Sequence, residues 1–208
     1  MDRSAVPDVG LMYIESYEDP SFANFGRELA ADGLDVRVES RPDPGVYAGV
    51  EWLLPTAVAV FLGRSYFDAF LKEAGKDHYH LLKKALLKVS AIFFGKNAPQ
   101  GRVIFTKGKA ESEIPRYSLF YSVVAQVGDN LRVKLLLQSD FDATLCNEAQ
   151  TAFLGFLSSV YDGSLDIKSI KGLAHAVPVS NTLLLAYNAT DKSLEVIDPL
   201  ASRSGPGA

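Results

Sequence analysis

Between Tyr117 and Leu137 the chain alternates apolar and polar residues on either side of one turn. Tyr117, Leu119, Tyr121, Val123, Ala125 and Val127 interleave with Ser118, Ser122 and Gln126. Gly128-Asp129-Asn130 follows, and then Leu131, Val133, Leu135 and Leu137 interleave with Arg132 and Lys134. Period-two patterning sends successive side chains to opposite faces, and Gly, Asp and Asn are turn residues. The segment therefore predicts an antiparallel hairpin with one apolar face.

The rest of the second half fits around that hairpin. From about Asp140 to Tyr161 the residues Leu145, Ala149, Ala152, Phe153, Phe156, Leu157 and Val160 fall on one helical stripe. Ser139 or Asp140 is a suitable cap for its N-terminus. A second hairpin is expected from Thr182 to Tyr187 and Leu194 to Ile197, turned at Asn188 to Lys192. The second half thus reads as α+β.

The first half has a different rhythm. Leu11 to Ile14 is a short apolar run, hence a buried strand. Phe22, Phe25, Leu29 and Ala30 lie at helical spacing within Ser21 to Ala31, and Gly33 is a stop signal. Leu34 to Val38 alternates as a strand does. Arg41-Pro42-Asp43-Pro44-Gly45 is a loop. Val46 to Leu54 reads as a short helix and Ala57 to Leu62 as a central strand. Two helices are expected next, Tyr66 to Ala74, ended by Gly75, and Asp77 to about Ile92. The second has Leu81, Leu82, Ala85, Leu86 and Val89 on its apolar face. A strand at Arg102 to Thr106 follows. Strands alternating with helices predict a parallel sheet with helices on both faces. The loop from Gly95 to Gly101 separates a part over 1–95 from a part over 101–200, which could also be one continuous domain. Residues 201–208 are Gly/Ser/Pro-rich and read as a disordered tail.

Composition excludes several classes. Of 208 residues 48% are apolar and 22% charged, with a net charge of -4, the values of an ordinary globular chain. There is no basic stripe for a nucleic-acid backbone. The single cysteine, Cys146, forbids an intramolecular disulfide and points to a reducing, cytoplasmic compartment. Met1 to Gly10 lacks the apolar core of a signal peptide. The longest apolar run, Leu53 to Gly63, contains Pro55 and is about half the length of a membrane span.

One segment carries a resemblance. Met12-Tyr13-Ile14-Glu15-Ser16-Tyr17-Glu18-Asp19 resembles the first box of TIR domains, a strand ending in a Ser-Tyr pair with an acid soon after. Phe22-Ala23 and Leu29 match the family's first helix, and Gly33 with Asp35-Val36 its entry into the second strand. Arg41-Pro42-Asp43-Pro44-Gly45 is similar to the second box. Ala57 to Leu62 with Ser65-Tyr66-Phe67 is similar to the next strand and the segment after it. The match covers Leu11 to Ala74. It implies a flavodoxin-like parallel sheet and one of two roles. TIR domains assemble with other TIR domains in signalling, including bacterial defence, or they cleave NAD.

The enzymatic members place a glutamate on the helix after the third strand, which here implies Glu73 as the catalytic residue. Such a carboxylate can stabilise the positive charge that builds on the ribose as nicotinamide leaves. Ser16, Tyr17 and Arg41 would then line the NAD site, at the carboxyl ends of the first two strands. Read without the resemblance, Glu73 is a solvated carboxylate near Lys72 and Lys76, and the other three are loop residues.

Other motifs weigh less. His78 and His80 are two apart and diverge by about 200° on a helix, so they cannot share a metal ion. Cys146 with His175 could be imagined as a catalytic pair, but a buried Cys is usually a small core residue. There is no Gly-x-Gly-x-x-Gly after a strand, no Walker loop and no Gly-x-Ser-x-Gly. The preferred reading is a TIR-like signalling or protein-interaction module with a protein partner or self-association and no required cofactor. The alternative is a NAD glycohydrolase using Glu73, with NAD as substrate. A further alternative is a non-catalytic structural or regulatory subunit.

Overall fold

The computed structural model describes residues 6–43, 56–94, 98, 116–167, 170, 173 and 178–198, with the side chains of 69–76 outside the description. The strands are β1 (Val9–Ile14), β2 (Val36–Arg41), β3 (Val58–Leu62), β4 (Tyr121–Gln126), β5 (Arg132–Leu136), β6 (Thr182–Asn188) and β7 (Ser193–Ile197). The helices are α1 (Pro20–Leu29), α2 (Leu71–Ser90) and α3 (Ala143–Tyr161). A short 3-10 turn, Glu15–Tyr17, follows β1, and one π-helical turn, Tyr66–Phe70, leads into α2.

All seven strands form one sheet in the order β2-β1-β3-β4-β5-β6-β7. Strands of both halves of the sequence share it, joined where β3 pairs β4. The expected hairpins are present as β4–β5 and β6–β7, both antiparallel. Tyr117 joins only through an isolated bridge to Gln138.

The parallel sheet expected for the first half is corrected. β1 pairs β2 in parallel, with Val9 beside Val36 and Ile14 beside Arg41. β3, however, runs antiparallel to β1, with Val9 beside Leu62 and Tyr13 beside Val58. Directions then alternate in pairs. β1 and β2 run one way, β3 and β4 the other, β5 and β6 the first way again, and β7 back. Among the described residues each parallel pair is bridged by one α-helix, α1, α2 and α3 in turn. Strand-helix alternation is the same for this pattern and for an all-parallel sheet, so periodicity could not separate them.

Register shows which face is packed. Leu11, Val60, Val123, Leu135, Leu185 and Val196 lie in one row across β1 to β7. All six are buried and belong to one core cluster. The same cluster contains Phe22, Phe25 and Leu29 of α1, Leu82, Ala85, Leu86 and Val89 of α2, and Ala149, Phe153 and Leu157 of α3. The three described helices thus all cover a single face, where helices on both were expected. This has a chiral consequence. β1→β2 and β5→β6 run in the same direction but step to opposite sides, so with their helices on one face the two crossovers have opposite hands. Crossovers are almost always right-handed, so one of these is an exception.

Local signals explain the helix ends. Asp19 caps α1, accepting the Ser21 N–H at 2.8 Å, and Pro20 occupies the first turn, where its missing N–H costs nothing. Asp142 caps α3 by accepting from Leu145 N at 2.8 Å, so the cap lies two to three residues later than expected. Gly75 does not end a helix, because α2 runs through it. An internal Gly costs only about 1 kcal/mol, and the buried Leu82-Ala85-Leu86-Val89 stripe outweighs that. Leu81 lies off the stripe and is 45% exposed. The helix expected at Val46 to Leu54, the strand at Arg102 to Thr106 and the tail lie outside the described residues. No helix among the described residues is long and apolar enough to cross a membrane.

Candidate functional site

The end of the sheet where β1 and β2 finish gathers most of the residues singled out above. Because β3 and β4 run the other way, their starts lie at this same end. Ser16 sits in the 3-10 turn and donates its hydroxyl to Asp43 Oδ2 at 3.1 Å. Tyr17 packs its ring edge-on against Phe120, with centroids 5.6 Å apart. Arg41 is the last residue of β2 and reaches past β1 to donate Nη2 to the Thr56 carbonyl at 2.5 Å. Ser16, Tyr17 and Arg41 thus share one end of the sheet.

Glu73 is not with them. It lies in the first turn of α2, which follows the end of β3. Since Leu62 pairs with Val9, that end of β3 is beside the start of β1. The His78 contact to Leu29, the last residue of α1, also places the early part of α2 at this opposite end. An antiparallel β3 therefore separates Glu73 from Ser16, Tyr17 and Arg41 by the length of the strands. The Glu73 side chain itself lies outside the described residues.

The structure adds residues that the sequence did not single out. Arg41, Ser122 and Lys134 all fall on the sheet face opposite the three helices, by the register that puts Val36, Ala125 and Val133 on the helix face. Thr56 Oγ1 donates to the Val58 carbonyl at 2.8 Å and lies 2.7 Å from Ser122 Oγ. With the Thr56 proton so committed, Ser122 is the donor of that second bond. Both hydroxyls are buried, and Lys134 is only 7% exposed. Burial, and then the Arg41 charge, push the Lys134 ammonium down to about 8. Arg41 Nε is buried with no hydrogen-bond partner among the described residues. In the sequence Lys134 looked like the wet side of a hairpin. In the fold that position is interior, with Leu184 of β6 beside it on the same face.

Two other buried polar groups serve the core. The Tyr121 hydroxyl donates to Gln150 Oε1 at 3.0 Å, and Gln150 Nε2 reaches Ser90 Oγ at 3.0 Å and the Cys146 carbonyl at 3.3 Å. These bonds tie β4, α2 and α3 together. Burial pushes the Cys146 thiol up to about 11, which keeps it protonated and inert. His78 is buried and bonded to Tyr66 and to Leu29, so its ring serves helix packing. Its suggested neighbour His80 is exposed. His175, the imagined partner of Cys146, lies outside the described residues. Between α1 and α2 a shallow cleft of about 60 Å³ is lined by Ser21, Asn24, Phe25 and Lys88, which is far below the roughly 300 Å³ of a small-molecule pocket.

The two sheet edges differ. β2 carries Arg37, Glu39 and Arg41 on the face away from the helices, and Arg37 is paired with Asp35 at 2.5 Å. β7 carries one charge, Glu195, among Ser193, Leu194, Val196 and Ile197. Among the described residues no strand pairs its outer side. No protein-family model, no curated protein and no solved structure matches the chain.

Proposed function

We propose that this chain is a protein-interaction module that binds an extended segment of another polypeptide along β7. The observation that carries this is the contrast between its two edges. Edge strands are normally guarded by charges, bulges or proline because their free N–H and C=O groups recruit other strands. β2 is guarded by three charged side chains in six residues, whereas β7 has one in five. Val196 is 9% exposed beneath α3 and Leu194 packs on the same core. An added strand would extend that apolar row, which is the geometry of strand addition.

The TIR resemblance supports the same class of function through its first unit. β1, α1 and β2 form a parallel strand-helix-strand with Ser16 and Arg41 at its carboxyl end. The NAD-cleaving alternative draws no support from this geometry, because Glu73 and the residues expected to line its site fall at opposite ends of the sheet.

The test is a selection of random heptapeptides against the full chain, followed by measurement of the enriched peptides on a variant with Glu195→Lys and Ile197→Lys. These substitutions raise β7 from one charged side chain to two, closer to the three of β2. Peptides of alternating pattern that bind the parent and lose affinity at least about tenfold on the variant are expected. If nothing enriches, or binders ignore the two substitutions, the reading fails.

A further inference from the structure

Arg41 is tied down at one nitrogen and unanswered at another. Its Nη2 donates to the Thr56 carbonyl at 2.5 Å, while its Nε–H is buried and meets no acceptor among the described residues. A buried donor left unpaired costs about 1–3 kcal/mol. Asp43, two residues on, takes the Ser16 hydroxyl instead. Among the described residues Arg41 makes no ion pair.

The surroundings of that N–H favour negative charge. Ser122 and Lys134 share its sheet face, and Ser122 is bonded to the same Thr56 whose carbonyl holds the guanidinium. Lys134 lies diagonally across from Ser122 on β5, and after burial the Arg41 charge is the next influence lowering its ammonium. Like charges sharing a desolvated region repel. An oxyanion at the Arg41 N–H would offset that repulsion and answer the buried donor with a charge-assisted hydrogen bond, about twice as strong as a neutral one. Arg41 decides the matter, since Lys134 already makes an interaction of its own. A guanidinium is also the group whose planar fork suits carboxylate and phosphate.

We propose that Arg41, with Lys134 on the same sheet face, forms a binding site for a small oxyanion, the carboxylate or phosphoryl group of a small molecule, on the face opposite the three described helices. The site is independent of the β7 edge and carries its own observation.

The experiment is an NMR titration of the full chain with sulfate, with ionic strength held constant by sodium chloride. The Arg41 Nε–H resonance is followed together with the amides of Ser122, Lys134 and, as a remote control, Asp129. Saturable shifts at Arg41, Ser122 and Lys134 with none at Asp129 are expected. Arg41→Lys keeps a charge but lacks Nε–H, and it should weaken binding roughly tenfold or more. Lys134→Met should weaken it less. Shifts that grow linearly without saturation, or that spread equally to Asp129, would overturn the site, and they are read in the parent protein whether or not the variants fold. Acetate and methyl phosphate, run in parallel, distinguish the two ligand classes. Binding of either sustains the assignment, and binding of none of the three overturns it.

Discussion

The Tyr66 hydroxyl lies 3.2 Å from Nδ1 of His78, and Nε2 of the same ring lies 3.1 Å from the carbonyl of Leu29. A carbonyl only accepts, so Nε2 carries a proton, and in the neutral ring Nδ1 accepts from Tyr66. One imidazole thereby pins the π-helical turn and α2 to the last turn of α1. Tyr66 and His78 are both buried, and burial pushes the Tyr66 phenol well above its ordinary range. Tyr66→Phe should lower stability by about 1–2 kcal/mol. A double-mutant cycle with His78→Leu, read by urea unfolding, should give a coupling of at least about 0.5 kcal/mol. Strict additivity would show that the two side chains act separately.

Three glycines separate packing from conformation. A Cβ on Gly63 would lie 2.6 Å from the Pro7 carbonyl oxygen, a backbone atom that cannot swing aside. Gly63→Ala should cost at least about 2 kcal/mol, because overpacking forces backbone shifts. Gly33 has open space but a φ of +81°, so its alanine variant should cost about 1 kcal/mol. Gly155 lies inside α3 with nothing near its Cβ position, so Gly155→Ala should raise stability by about 0.5–1 kcal/mol. The order of the three melting temperatures checks the set.

Lys134 should leave a mark on the pH dependence of stability. Its ammonium titrates near 8 in the fold against 10.5 when unfolded, so between those values the unfolded chain binds the extra proton. Stability from this group therefore rises with pH across the window. Cys146 acts oppositely. Its thiol is held to about 11 against an ordinary 9.0, so the fold keeps a proton that the unfolded chain loses, and stability falls from 9 to 11. A net rise is expected only between pH 8 and 9. Lys134→Met should abolish that rise. It should also stabilise the protein at pH 7 by a few kcal/mol at most, since a tenfold change in proton affinity is worth about 1.4 kcal/mol. A parent whose unfolding free energy is flat or falling from pH 8 to 9 would contradict this.

Much of the fold was legible in the sequence, and the parts that were not have physical reasons. Leu183 and Leu185, with Val133 and Leu135, face the core just as their period-two spacing requires. Strand direction was not legible. Whether β3 lies parallel or antiparallel to β1 depends on partner choice across the sheet, and both choices bury Val58, Val60 and Leu62 equally well. That single choice moved Glu73 away from Ser16 and Arg41. The interior position of Lys134 was hidden for a similar reason. A lysine opposite a leucine row looks solvent-facing until β6 packs on its other side.

The Cys146 thiol should stay unreactive in the native protein. It is 1% exposed, lies 3.4 Å from Gln150 Nε2, and is held protonated by burial. A disulfide reagent such as an aromatic nitro-disulfide should label it only at the rate of unfolding. Gln150→Leu, which removes the bonds to Tyr121 and Ser90, should speed that labelling by roughly tenfold or more, since leaving buried partners unpaired costs at least about 1 kcal/mol. Fast labelling of the parent would place the thiol at the surface.

The alternating strand pairs also set the polarity of the helical layer. α1 and α3 begin at the Arg41 end of the sheet, while α2 begins at the other end. Each helix carries about half a positive charge at its start and half a negative charge at its finish. In a sheet with all strands parallel these dipoles would point the same way and create one attractive rim for anions. Here α2 lies reversed beside both its neighbours, so the dipoles largely cancel. Across the described helical layer the net field is thus small, and on the opposite sheet face the described groups that would draw an anion are the side chains of Arg41 and Lys134.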